Sequence, residues 1–281
     1  MIVGSVRELW RYPIKSFQGE RCETLELDSS GFDRDRRWAV VDNASGKTLT
    51  AKTVPPMLFA SARLTADGVA ITLPDGTELD AAAAETSAAI SRWLDRDCRL
   101  VPADQVAATS YDMTFEPTND DAELVDIPIN PGAFFDLTPV HALTSTSLAT
   151  MGAAHTDGEW DVRRFRPNVL IDTSAQQEPI AVPEQPVLPG IAHPGFPEDG
   201  WVGSAISFGA GDATAPAISV LMATVRCALP NRAQPGIDRD IDIFRTMNAH
   251  HGNHLGVYCT PLTAGTLRVG DDVHLVDPRP S

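Results

Sequence analysis

The sequence has no long apolar run. No uninterrupted stretch approaches the roughly 20 residues that carry a helix across a bilayer. The first ten residues, Met1 to Trp10, are broken by Arg7 and Glu8 and hold no apolar core of signal-peptide length. Paired cysteines are also missing. The four present, Cys22, Cys98, Cys227 and Cys259, show no CxxC spacing, which argues against a disulfide framework and an all-cysteine zinc site. Positive charge is scarce: 22 Lys and Arg face 38 Asp and Glu, for a formal charge of -16. That field repels nucleic acid and anionic membranes, so neither is an expected partner. Any anion must be held by a local cation cluster working against the whole. No internal repeat is visible. These absences point to a cytoplasmic protein whose thiols are mostly buried and reduced.

What is present reads as mostly β. The 281 residues suffice for one large or two modest domains. Residues 2–9, 24–27 and 38–41 have strand composition, and Asp67-Gly68 and Asp75-Gly76 supply hairpin turns for a meander. Ala89, Ile90, Trp93 and Leu94 recur at helical spacing, which predicts a helix over 86–94 with Thr86 as N-cap. Residues 107–131 are polar, acidic and without period, as expected of a long loop or crossing. Beyond Phe134, a short helix is expected at 146–151 and strands at 168–172, 205–208, 218–225, 255–258, 266–269 and 273–276. A proline-rich insert with Pro179, Pro183, Pro186, Pro189, Pro194 and Pro197 reads as a surface loop.

Four clusters carry chemistry. Tyr12-Pro13-Ile14-Lys15-Ser16 follows a strand, and its turn could offer an ammonium and a hydroxyl to a phosphate or simply to solvent. In Asp33-Arg34-Asp35-Arg36-Arg37-Trp38, strand alternation would put Arg34 and Arg36 on the face of Trp38, where they need an anion, bound or internal. Arg166-Pro167-Asn168 precedes an apolar strand: Arg166 offers a planar fork suited to phosphate and Asn168 a donor and an acceptor suited to a heterocycle edge. Arg226-Cys227 ends an apolar run, and a thiol beside Arg has a reason to be a thiolate, the form that binds soft metals. The plain alternative is a buried structural Cys. His250, His251 and His254, with Cys259 nearby, form a weaker zinc candidate, since Gly252 and Asn253 interrupt the helix it needs.

Taken in order, these segments resemble the MOSC family. The resemblance is to the branch that carries an N-terminal β-barrel domain and includes the amidoxime-reducing proteins and bacterial relatives. It extends over Leu49-Thr50-Ala51-Lys52, Glu198-Asp199-Gly200-Trp201 and Leu255-Gly256-Val257-Tyr258, and covers nearly the whole chain. It implies an N-terminal barrel domain over residues 1–100 and a barrel MOSC domain over 101–281, in a mostly β (α+β) chain with few short helices. It implies the molybdenum cofactor, with Cys227 as thiolate ligand to the metal, Lys15, Ser16 and Arg36 holding the pterin phosphate, and Arg166 and Asn168 contacting pterin or phosphate. Thr138 falls where the family places small hydroxyl residues; Leu137 and His141 depart from that pattern. The implied activity is two-electron reduction of N-hydroxylated compounds, the metal passing from Mo(IV) to Mo(VI) and being reset from outside. Some bacterial relatives carry a C-terminal iron–sulfur domain. Its cysteines have no counterpart here, so either a separate flavin or iron–sulfur donor protein supplies the electrons or the chain is not a reductase. The family also carries an association with pyridoxal phosphate. The alternative function is a sulfur carrier, with a persulfide on Cys227 delivered to metal–sulfur cluster or cofactor assembly.

Overall fold

A computed structural model describes residues 1–114, 116, 118–119, 121–176 and 182–276. Its centre is a closed barrel of seven strands. Around the barrel run Val169–Asp172, Val140–Thr144, His254–Thr263, Ala217–Val225, Ala205–Phe208, Asp272–Val276 and Ile2–Arg11, and the last pairs back onto the first. Among these seven barrel strands, the neighbours Val140–Thr144 and Val169–Asp172 run parallel and the other pairs antiparallel. Closure removes the open edges that would otherwise expose unpaired backbone groups. The N-terminal strand therefore completes a barrel built mainly from the second half of the chain.

Period-2 alternation fills the interior. Val6, Leu9, Val140, Ala142, Val169, Ile171, Ile206, Phe208, Val220, Val257 and Val273 point inward together. Burying each large aliphatic among them contributes about 2 kcal/mol. The strand Gly265–Arg268 pairs with Thr24–Asp28, a second seam between the ends of the chain.

A smaller β unit packs beside the barrel. Ser61–Leu64, Val69–Thr72 and Glu78–Asp80 form the expected meander, and Trp38–Asp42 pairs with Cys98–Pro102. Their core gathers Ile14, Val40, Met57, Leu58, Ile71 and Ile90, the last from the helix Thr86–Leu94.

Three expectations need correction. Thr86 does not cap that helix: the cap position is Glu85, and the Thr86 hydroxyl donates to the Asp80 carbonyl at 2.6 Å. The stretch 107–131 is no plain loop, because Thr109–Met113 and Val125–Ile129 pair as an antiparallel hairpin whose Tyr111 and Ile129 are buried. Finally, Asp33, Arg34, Asp35 and Arg36 form a turn before the strand Trp38–Asp42, and Arg34 (φ 56°) and Arg36 (φ 51°) are left-handed, so strand alternation does not apply. Of the proline-rich insert, Pro179 lies outside the described residues.

Candidate active site

A cavity of about 350 Å³ opens where the barrel meets the smaller unit, a size ordinary for a small-ligand site. All seven residues singled out in the sequence line it: Lys15, Ser16, Arg36, Thr138, Arg166, Asn168 and Cys227. Each comes from a segment that leaves or enters a strand. Lys15 and Ser16 follow the first barrel strand, and the Lys15 N–H donates to the Trp38 carbonyl at 2.8 Å. Thr138 precedes Val140–Thr144, Arg166 and Asn168 precede Val169–Asp172, and Cys227 follows Ala217–Val225. Lys15 is not the solvated turn residue its surroundings in the sequence allowed; it is 5% exposed.

Backbone strain concentrates here. Ser16, Arg36, Arg166 and Asn253 line the cavity and all have left-handed φ, between 51° and 69°, without being glycine. Such conformations cost on the order of 1–2 kcal/mol each and persist where surrounding contacts over-determine them.

One wall is an arginine sandwich. The Arg36 and Arg166 guanidinium carbons lie 4.9 and 4.2 Å from the centroid of the buried Tyr12 ring. Burial pushes the Tyr12 hydroxyl up, so it stays neutral and donates to the Pro167 carbonyl at 3.2 Å. Arg36 pairs with the fully buried Asp35 and donates to the Arg166 carbonyl at 3.2 Å. Arg166 donates through Nη1 to the Phe17 carbonyl at 2.7 Å, while its buried Nη2 has no hydrogen-bond partner. Burial lowers Arg166 to about 10, which leaves it charged at neutral pH. Asn168 has its amide occupied by protein: Nδ2 donates to Asp35 at 3.1 Å and Trp10 at 3.2 Å, and Oδ1 accepts from the His141 N–H at 3.2 Å. It ties Asp35, and through it Arg36, to the barrel.

The facing wall holds groups that sequence reasoning did not assign. Lys15 Nζ and Lys52 Nζ reach the two oxygens of Asp136 at 2.5 and 2.9 Å. Lys52 lies 4.0 Å from the Tyr111 ring centroid. Burial lowers Lys15 to about 8, with the Asp136 charge opposing the shift. Burial also acts to lower Lys52, but Asp136, then Cys227 and Tyr111, outweigh it, and Lys52 is raised. Asp136 is depressed because two ammonium groups overcome its own desolvation. Lys52 belongs to Leu49-Thr50-Ala51-Lys52, one of the segments that resemble the family; Tyr111 and Asp136 had no signal beyond being polar residues near breakers.

Cys227 is half-buried and lines the same cavity. Its neighbour Arg226 spends its fork on the Leu255 carbonyl at 2.6 Å, the Phe165 carbonyl at 3.1 Å and His141 Nε2 at 2.8 Å. Arginine can only donate, so His141 Nε2 is unprotonated. Burial and the Arg226 charge hold His141 well below its ordinary value, as a neutral imidazole. The histidine group gathers no metal site: His251 pairs with Asp199 at 2.6 Å, and among the described residues no cluster of three His, Cys, Asp or Glu side chains could hold a metal ion.

A soft sulfur, six cationic side chains and an unpartnered guanidinium nitrogen on one cavity suit an anionic ligand with a soft metal. The model of the MOSC N-terminal beta barrel domain matches residues 3–113, and that of the MOSC domain matches 132–274. The chain belongs to the MOSC family. This MOSC chain is 28% identical over 194 residues to the human mitochondrial amidoxime-reducing component 1, covering 60% of this chain and 56% of that one. It is 27% identical over 196 residues to the bovine mitochondrial amidoxime reducing component 2, with the same coverage. The chain thus spans about half the length of the curated relatives it matches. The crystal structure of the YUAD protein from Bacillus subtilis aligns over 98% of this chain and 97% of its own, at 10% identity and a TM-score of 0.44. Among the described residues no helix is long and apolar enough to cross a membrane.

Proposed function

We propose that this MOSC chain is a molybdenum-cofactor-dependent reductase of N-hydroxylated compounds, supplied with electrons by a separate protein. The observation that carries the reading is the convergence of Cys227 with Lys15, Arg36, Lys52 and Arg166 on one cavity of an otherwise acidic chain. The amidoxime-reducing relatives support the reaction class.

The residues present fit the group. Cys227 would ligate the metal through sulfur. Arg36 and Arg166 would hold the phosphate, and Arg166 Nη2 has a hydrogen bond to give. Ser16, whose hydroxyl oxygen already accepts the Ala51 N–H at 3.0 Å, has its own proton left to donate. Thr138 donates to the Val140 carbonyl at 3.1 Å and shapes the wall, and Asn168 fixes Arg36. When bound, the cofactor supplies the two-electron chemistry at the N–O bond.

The protein's own share is binding, orientation and proton supply. Reducing an N-hydroxyl to the amine consumes two electrons and two protons and releases water. Lys15, poised at about 8 and facing the cavity, can hold and release a proton near neutral pH. The half-buried Met113 and Ile127 give the cavity an apolar side that limits water around the substrate.

The test is to purify the protein from cells able and unable to make molybdopterin and assay benzamidoxime reduction with an artificial donor. Activity only in the first preparation supports the reading. Sulfane sulfur on Cys227 with no reduction in either would point to the carrier function.

A further inference from the structure

A buried histidine–carboxylate pair lies outside the residues that line the cavity, and the proposed chemistry does not use it. His251 ends the helix Asp242–His251 and is 1% exposed; Asp199 is fully buried. His251 Nε2 lies 2.6 Å from Asp199 Oδ2, and Nδ1 lies 2.9 Å from the His254 carbonyl oxygen. The Phe196 ring stacks on the imidazole, with centroids 3.8 Å apart. A carbonyl only accepts, so Nδ1 carries the proton that donates to it. Ring stacking and the Asp199 bond leave the imidazole one orientation.

That orientation pins a tight reversal. The His254 carbonyl is held back against the helix end, and the two residues between, Gly252 (φ 52°) and Asn253 (φ 65°), are both left-handed. Asn253 then clasps the residue before the thiol. Its Nδ2 donates to the Arg226 carbonyl at 2.7 Å, and its carbonyl accepts the Arg226 N–H at 2.9 Å. Both main-chain groups of Arg226 are thereby fixed by one residue, and Cys227 is the next in the chain. The path from the buried pair to the sulfur is continuous: Asp199, His251, the His254 carbonyl, Asn253, Arg226, Cys227.

We propose that the His251–Asp199 pair is a positioning device for Cys227, acting through Asn253 and Arg226. It rests on the reading of Cys227 as the reactive thiol and not on the identity of the metal. Breaking a buried pair of this kind frees the reversal, and the strand end that presents the sulfur opens locally.

The test is alkylation of the full-length chain, purified without cofactor, with each cysteine followed by mass spectrometry. The ratio of the Cys227 rate to the Cys22 rate is the readout, because general loosening of the fold raises both. In Asp199→Ala and in His251→Ala the ratio is expected to rise roughly tenfold. If the alanine variants fail to fold, Asn253→Gly carries the same test, because it retains the left-handed backbone and removes only the clasp on the Arg226 carbonyl. An unchanged ratio in the folded variants overturns the proposal. Absence of molybdenum from the wild-type protein would sink the reductase reading and leave this result intact.

Discussion

Lys15 and Asp136 meet at 2.5 Å across 121 residues of chain, joining the turn after the first barrel strand to the loop before Val140–Thr144. Lys52 closes on the other oxygen of the same carboxylate. Asp136 thus holds together two ammonium groups that would otherwise repel each other at the rim of the cavity.

Removing that charge should be felt by both partners. Asp136 is 39% exposed on its side chain, so solvent screens the pair. Asp136→Asn is expected to cost roughly 1 kcal/mol, visible as a fall of about 2–4 °C in the melting temperature. It should also depress the titration of Lys15 further, measured by NMR of the lysine side chains.

The Lys15 titration gives a pH dependence. Its pKa is lowered from 10.5 to about 8, so between those values the unfolded chain binds more protons than the folded one. Stability on this account rises as pH climbs through 8 towards 10.5, because the buried charge is being discharged. Anion binding goes the other way. Calorimetric titration with sulfate, whose charge is constant over this range, should show affinity steady below pH 7 and falling above about 8, and Lys15→Met should flatten the profile.

Arg34 and Arg36 share a left-handed backbone and differ in what their side chains do. Arg34 is exposed beside Asp33, while Arg36 pairs with buried Asp35. Arg34→Gly relieves strain and should change stability by less than about 1 kcal/mol, in the stabilising direction. Arg36→Gly leaves Asp35 short of its partner and should cost about 3 kcal/mol. Urea denaturation of the two variants side by side decides this.

His141 should not titrate in the ordinary range. Burial and the Arg226 guanidinium keep it neutral, with the proton on Nδ1. Nitrogen-detected NMR is expected to show the Nδ1–H tautomer unchanged as the pH falls through the ordinary histidine value of 6.5, and protonation at that value would refute the assignment.

Local pattern made much of the fold legible. The helix at 86–94 and the strand at 205–208 follow directly from period and composition, and Asp67-Gly68 and Asp75-Gly76 mark the turns of the meander. What was not legible is non-local or conformational. The closure of Ile2–Arg11 onto Val169–Asp172 joins distant parts of the chain and leaves no mark on either segment. The hairpin that brings Tyr111 to the cavity lies in an acidic stretch whose alternation is too weak to read. Left-handed φ at Arg34 and Arg36 overrides strand periodicity, because tertiary contacts select a backbone that residue type alone disfavours. The seven residues chosen from sequence do share one cavity, while Lys52, Tyr111 and Asp136 emerge as its other wall only in three dimensions.

The most direct measurement is molybdenum and pterin content per chain, for the wild-type protein and Cys227→Ala, both produced in molybdopterin-proficient cells. The account predicts near one molybdenum with its pterin on the wild type, and loss of the metal from a variant that keeps its circular dichroism and melting temperature. Wild-type protein free of molybdenum and pterin, or a Cys227→Ala variant that retains both, would contradict it.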